Sequence, residues 1–291
     1  MKKLLLGSMA FVALIAGPAM AADMAVRAPV YKGPAPVVAA YNWSGFYIGG
    51  TVGGAWGTFD PTTSTVLSPV GGGLAATSVT AINAAGVQSI KPSGWTGGFE
   101  VGYNWQISNL VLGVEGDIES FRLSGSAATG PVVYPCCAPA AFNITSNAST
   151  TWLATVRGRL GVAANNWLFF VTGGAAFTNL NSAFTFTDNC GAVPACGPPG
   201  TSAVEAVSFS GNKTGYTVGG GVEAGLWGQW SVKAEYLYVN FGTASAVGLI
   251  TGGAVAFGTN NNPFTHSIDL KANIVRFGLN YRFSGPVVAR Y

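Results

Sequence analysis

Along much of the chain, apolar and polar residues alternate with a period of two, the spacing of a β-strand with one greasy and one polar face. The pattern is plainest where Trp95, Phe99, Val101, Tyr103, Trp105 and Ile107 occupy odd positions against Thr96, Glu100, Asn104 and Gln106 on even ones. The parity then reverses, with Leu110, Leu112, Val114 and Ile118 opposed by Glu115, Asp117 and Glu119. A further segment sets Trp152, Val156, Leu160 and Val162 against Thr155, Arg157 and Arg159. The remaining segments run over 43–56, 167–177, 214–226, 230–241 and 268–283; of these, 167–177 is apolar on both faces. These alternations predict eight strands.

The connections carry independent information. Short links around Ser108, at 164–166 and around Gly228 alternate with long ones at about 57–93, 123–148, 179–212 and 242–266. Short turns at one end and long loops at the other are how outer-membrane barrels are built. The expectation is therefore an all-β fold: an eight-stranded antiparallel transmembrane β-barrel with short periplasmic turns, four long external loops and both chain ends in the periplasm.

Composition supports a membrane wall made of strands. Only 9 % of the residues are charged and the mean hydropathy is +0.38. A barrel strand needs only about 9–11 residues to cross hydrocarbon, so such a chain can be hydrophobic without a long apolar run. One apolar run does occur at the start, where Met1-Lys2-Lys3 precedes Leu4 to Ile15 and then Gly17-Pro18-Ala19-Met20-Ala21. That order reads as a secretory signal peptide over 1–21. Residues 22–42, rich in proline, read as an extended periplasmic leader, and 43–291 as the barrel. The net charge of +3 is spread along the chain, so no basic patch suits nucleic acid.

The polar parity assigns charges to the lumen: Glu100, Glu115, Asp117, Glu119, Glu223 and Glu235 against Arg157, Arg159, Lys233, Arg276 and Arg282. Eight strands leave room only for side chains, and buried charges persist when paired. The expectation is a plugged interior cross-linked by ion pairs. Tryptophans should form two interfacial girdles, with Trp43, Trp105, Trp167, Trp227 and Trp230 at the periplasmic ends and Trp56, Trp95 and Trp152 at the outer ends.

Candidate chemistry is sparse. His266 is the single histidine and the natural base for acyl-transfer or proteolytic chemistry. Its neighbour Ser267 points to the opposite face of the strand and makes a poor partner. The four cysteines are Cys136, Cys137, Cys190 and Cys196. In an oxidising compartment they read as disulfides, Cys190 with Cys196 being preferred, while the adjacent pair could bridge loops. Their spacing fits no common zinc site. No catalytic, metal or cofactor site is expected. The expected partners are outer-membrane lipid and lipopolysaccharide and the barrel-assembly machinery; the external ligand is open.

Several motifs resemble one known family. They are Tyr41-Asn42-Trp43-Ser44-Gly45-Phe46-Tyr47-Ile48-Gly49-Gly50, then Trp105 before the first short turn, Val171-Thr172-Gly173-Gly174-Ala175, and Val275-Arg276-Phe277-Gly278-Leu279-Asn280-Tyr281-Arg282-Phe283. Together they resemble the alphaproteobacterial outer-membrane surface-antigen family, also called porin-like or outer-membrane immunogenic proteins. The resemblance implies an OmpA-like barrel in the outer membrane of a Gram-negative bacterium, antigenic and supporting envelope integrity; some relatives are described as haem binders or weak porins. Residues Ser284 to Tyr291 extend past the aromatic strand end that usually closes such chains, so either Phe283 or Tyr291 serves as the terminal aromatic that the assembly machinery reads. A structural surface barrel is the expected function, with a narrow porin or haem- or ligand-binding protein as the alternative.

Overall fold

The computed structural model describes residues 41–68, 73–197, 199–200, 202–250 and 262–283. The expected signal peptide, nearly all of the leader and the 284–291 extension lie outside these residues. Within them the chain is almost wholly strand: β1 (Gly45–Thr65), β2 (Ser93–Ile107), β3 (Leu110–Phe121), β4 (Ser124–Ala128), β5 (Val132–Val133), β6 (Ala141–Ser149), β7 (Trp152–Ala164), β8 (Trp167–Asp188), β9 (Val204–Gly225), β10 (Trp230–Leu249) and β11 (Pro263–Phe283). One helix, α1 (Ala76–Ala85), lies in the first long connection.

Eight of the strands close a ring in the order β1, β2, β3, β7, β8, β9, β10, β11, every neighbour antiparallel. The ring shuts where β1 meets β11, from Phe46 opposite Phe283 to Thr65 opposite Phe264. Two of the turns are two residues long, joining Ile107 to Leu110 and Ala164 to Trp167. Their first residues, Ser108 and Asn165, adopt φ of 58° and 55°. Asn is among the few residues that tolerate this left-handed conformation, so Asn165 fits its place.

The strands run far past the segments that alternation marked. β11 has 21 residues, about twice what a membrane crossing needs, and the extra length is explained by a change of face. In its lower half the outward residues are Val275, Phe277, Leu279, Tyr281 and Phe283, and the inward ones Arg276, Asn280 and Arg282. Above Ile274 the order inverts: Asn273, Lys271, Asp269, Ser267 and Thr265 face out, while Ala272, Leu270, Ile268, His266 and Phe264 are buried. The lower wall borders hydrocarbon and turns its apolar side chains outward. The upper wall borders water and buries them, as a one-sided soluble sheet does. β1 and β8 invert likewise, at Trp56–Phe59 and at Phe177–Leu180.

The barrel is thus two storeys high. The upper storey is filled by Phe59, Phe121, Leu153, Leu180, Phe184, Leu237, Phe241, Ile268 and Leu270, each fully buried Leu or Phe contributing about 1.5–3 kcal/mol. Much of what was expected as external loop is this wall. The 123–148 link supplies β6, which replaces β7 as the neighbour of β8 from Asn181 to Asp188, and β4 pairs with β6. Residues 87–92 prolong β2 beside β1, with Phe59 opposite Ile90 and Thr62 opposite Val87. A second cluster, containing Ile82 of α1, Tyr134, Phe142, Ile144, Phe186, Cys190 and Phe264, roofs the barrel.

The change of face has a direct test. Arg in place of Phe277, in the middle of the lower belt, should cost about 2–4 kcal/mol, whereas Ser267→Arg, ten residues up the same face, should stay within about 0.5 kcal/mol. Urea unfolding of the refolded protein in micelles measures both. Equal costs would show that lipid reaches the upper storey.

Candidate functional site

The charged layer sits in the lower storey, where the inward positions of β2, β3, β7, β9, β10 and β11 carry ionic groups and intervening glycines leave them room. At Gly102 a Cβ would lie 2.4 Å from the Tyr47 ring; without it the tyrosine lies across the lumen and its hydroxyl donates to Glu115 Oε2 at 2.6 Å.

Four cations organise six carboxylates. Lys233 Nζ lies 2.6 Å from Glu100 Oε2, 3.0 Å from Glu115 Oε2 and 3.6 Å from Glu235 Oε2. Those three acids present oxygens within 4.8 Å of one another, a spacing suited to a metal ion; the lysine ammonium contacts all three and is itself the cation of that set. Arg157 spans Glu115, Asp117 at 2.8 Å and Glu235 at 2.7 Å. Arg276 reaches Glu119, Asp117 at 3.1 Å and Glu235 at 2.7 Å. Arg159 binds Glu223 and lies over the Phe170 ring, 3.7 Å from its centroid.

Neutral donors take up the surplus negative charge. Thr51 and Thr96 hydroxyls donate to Glu119 at 2.8 and 2.5 Å, Thr155 donates to Asp117 at 2.7 Å, and Ser231 and Asn280 donate to Glu223 at 2.5 and 3.2 Å. The ionic layer is sealed from below by Trp43, Val111, Leu168 and Phe170 and from above by the apolar fill.

Two expected members stand elsewhere. Arg282, assigned to the ion-pair network, makes no acidic contact among the described residues: Nη2 donates to Gln229 Oε1 at 3.0 Å and the guanidinium lies over Tyr41, 4.4 Å from its centroid. It lies one inward position nearer the mouth than Asn280, whose amide does reach Glu223. Trp43, assigned to the periplasmic girdle, is only 2 % exposed and plugs that mouth, because the chain enters the barrel there. Trp56, Trp95, Trp105, Trp167, Trp227 and Trp230 are exposed on the outer wall near the two edges of the apolar belt, and Trp152 is half-buried.

His266 lies inside the upper storey, fully buried. Its Nδ1 is 2.9 Å from Thr63 Oγ1 and its Nε2 is 3.0 Å from Glu205 Oε2, and its ring stacks on Phe184. The arrangement has the connectivity of a hydroxyl–imidazole–carboxylate relay, yet all three groups are fully buried. What it does mechanically is tie β9 to β1 and β11 above Tyr216 and Asn240, where the pairing of β9 with β10 ends. Ser267 faces the other way, on the outer side. Glu205 lies on β9 within the 179–212 stretch, whose sequence reads as a long connection.

The cysteines form two disulfides, Cys190–Cys196 and the adjacent Cys136–Cys137; the adjacent pair bonds to itself and bridges no loops. Beside Cys190, Asp188 accepts hydrogen bonds from the Ala203 and Cys190 backbone N–H groups at 2.8 and 3.1 Å and from the Tyr134 hydroxyl at 3.0 Å. Burial outweighs these donors and raises the Asp188 carboxyl above its ordinary value.

Arg157→Ala strands Glu115, Asp117 and Glu235 together, and should cost about 3–5 kcal/mol, read as a lower midpoint of heat-modifiable gel migration. Asp188 predicts a pH effect on the roof. Because its folded value is raised, its contribution is full below the unfolded value near 3.8 and is lost as pH climbs through the folded one. Amide protection of residues 188–193, corrected for intrinsic exchange, should therefore fall as pH rises from acid, and Asp188→Asn should flatten that dependence.

Comparison with known proteins places this architecture. The family described as outer membrane protein beta-barrel domain matches residues 9–283. The 31 kDa outer-membrane immunogenic protein of Brucella melitensis is 32 % identical over 97 % of this chain and 100 % of its own. A 22 kDa outer membrane protein of Rhizobium leguminosarum is 26 % identical over 71 % of this chain and 68 % of its own. Among solved structures, the outer membrane protein OprG of Pseudomonas aeruginosa aligns over 83 % of this chain and 98 % of its own, at 10 % identity and a TM-score of 0.38. With its two rims, apolar belt and charged lumen, the chain belongs to the outer membrane protein beta-barrel domain family and is a β-barrel of the Gram-negative outer membrane.

Proposed function

We propose that the protein is a structural, surface-exposed barrel that contributes to envelope integrity and presents its upper storey to the outside. The observation that carries this reading is the fill: the lumen is occupied in turn by an apolar plug, an ion-pair layer, an apolar core and an apolar roof. A filled lumen favours a stiff post over a conduit. The relatives named outer-membrane immunogenic proteins support the surface role, since an immunogen must be seen from outside. Lipid and lipopolysaccharide contact the belt, and the barrel-assembly machinery reads a terminal aromatic such as Phe283, half-exposed beside Phe46.

The same geometry weighs against the alternatives. A narrow porin would need the ion-pair layer and the apolar core above it to part. Haem capture through His266 would need an imidazole whose two nitrogens already have partners. Catalysis on lipid or peptide would need that same buried relay to be reached.

Two measurements test the proposal. Purified protein in planar bilayers should give no conductance above that of the bare membrane. A strain lacking the protein should leak periplasmic contents and become detergent-sensitive, restored by the native chain and not by an Arg157→Ala, Arg276→Ala double variant. Steady single-channel steps from the native protein would overturn the reading.

A further inference from the structure

We propose that Lys271, Lys91 and Arg122 form a binding site, at the outer edge of the apolar belt, for the phosphate groups of the glycolipid in the outer leaflet. The inference deepens the proposed function, because it rests on that reading's placement of the upper storey outside and of the belt in lipid.

Depth comes first. Going up each strand, the belt's exposed apolar residues end at Trp56 on β1, Val275 on β11, Trp95 at the top of β2 and Ile118 on β3, with Val87 an isolated exposed apolar residue further along the β2 prolongation. Thr58, Lys271, Lys91 and Arg122 then follow two to four residues further on. Four residues of strand at about 3.3 Å each, tilted by about 45°, rise roughly 9 Å. That brings their backbones to the outer edge of the polar headgroup layer, which adds about 5–8 Å to each side of the hydrocarbon, and their long side chains can reach back into it.

The lateral arrangement is set by pairing. Lys271 stands directly opposite Thr58. On the other side of β1, the Phe59–Ile90 bridge and the hydrogen bond from Gly57 N to Pro92 O put Lys91 beside the same threonine. Two ammonium groups therefore flank one hydroxyl across three strands, about 10 Å apart at the backbone. Their long side chains can close on a phosphate held between them. Arg122, exposed just past the end of β3, follows Phe121, which pairs with Thr96; it therefore stands beside Trp95, four residues below Lys91 along the wall, and its guanidinium suits phosphate bidentately.

Charge complementarity selects the occupant. The nearest acids on this face, Asp60 and Asp269, face each other one outward step beyond Thr58 and Lys271, on the side away from the membrane. Lys271 reaches Asp269 only at 3.7 Å, with 40 % and 37 % of the two side chains exposed, a surface pair of little strength. Elsewhere at this rim the positions are Asn179 and Thr214, and Lys213 is engaged by the Thr243 carbonyl at 2.9 Å. At the opposite, periplasmic rim Arg282 is buried. Among the described residues, these three exposed or half-exposed cations of the wall thus gather on one side, in the band just above the apolar belt, where the leaflet carries phosphorylated sugar. The Trp95 indole, 81 % exposed just below, offers a flat apolar face beside them.

The test uses the full refolded chain in neutral micelles, with bisphosphorylated lipid A, the same lipid stripped of phosphate, and phosphatidylglycerol as probes, binding being read by tryptophan fluorescence. The native protein should bind the bisphosphorylated lipid at least 10-fold more tightly than either of the others, and 0.5 M salt should erase most of that preference. A triple variant, Lys91→Ser, Lys271→Ser, Arg122→Ser, should lose it, while Lys91→Arg with Lys271→Arg should keep it. Native binding indifferent to the phosphates, equal binding of phosphatidylglycerol, or an unweakened triple variant would each overturn the site. Heat-modifiable migration is measured on every variant first. Its loss in the native chain would overturn the barrel itself, and its presence with no phosphate preference would overturn the site alone.

Discussion

The lower storey depends on mutual neutralisation of charges that have no other solvent. A ring of eight strands places its inward side chains in a space walled by protein, with hydrocarbon behind the wall. An ion there is costly unless its partners surround it. Lys233, Arg157 and Arg276 meet this condition collectively. Each contacts at least three carboxylates, and Glu235 is shared by all three cations. The network joins β2, β3, β7, β10 and β11, so strands that never touch are tied through the centre. The six acids exceed the four cations, and the excess is met by hydroxyl and amide donors on β1, β2, β7, β10 and β11. Small inward residues such as Gly102, and the glycines of β8 and β9, are the other half of this arrangement: long charged side chains fit only where their neighbours have none.

The upper storey solves a different problem with the same strands. Once the wall leaves the bilayer its outer face meets water, so the energetic sign of each face reverses while the backbone pairing continues unbroken. β11 makes the change between Ile274 and Val275, two consecutive apolar residues pointing to opposite sides. Among the polar groups retained inside, His266 has a partner on both nitrogens, Thr63 and Glu205. Its link to Glu205 holds β9 to β11 where the ladder between β9 and β10 has ended.

This reversal explains what could be read from the chain alone. The belt and the ionic lumen produce strict alternation, as at 95–107 and 275–283, so strand number, register parity and ten of the eleven lumen charges were legible. Above the belt the outward residues are Thr, Ser and Asn and the inward ones are mixed. In Gly57-Thr58-Phe59-Asp60-Pro61-Thr62-Thr63-Ser64-Thr65, Phe59 is the one large apolar residue, and the stretch reads as loop. A phase shift at Trp56–Phe59 and Phe177–Leu180 was the signal available, visible only if alternation is allowed to change parity along one strand. Trp43 and Arg282 were misplaced for another reason. Parity and depth assign a face, but at a barrel mouth the entering chain folds across the opening, and a residue there can plug it. Glu205 was hidden because its stretch of β9 lies above the belt, where the sequence reads as loop, and its partner His266 is 61 residues away.

The division of labour between storeys bears on how the outside of the barrel is used. In the belt both faces are constrained, one by lipid and the other by the ionic layer, so few substitutions are neutral. In the upper storey only the inward face and the His266 link hold the structure. Outward positions such as Thr185, Ser208 and Thr214 carry short polar groups whose exchange for other polar residues costs little. A wall that is rigid from within and permissive without can present a changing surface on an unchanging frame, which is what a protein facing the exterior of a cell requires. The cations at Lys91, Arg122 and Lys271 stand where the two regimes meet, at the one depth where an exposed charge finds a partner in the membrane.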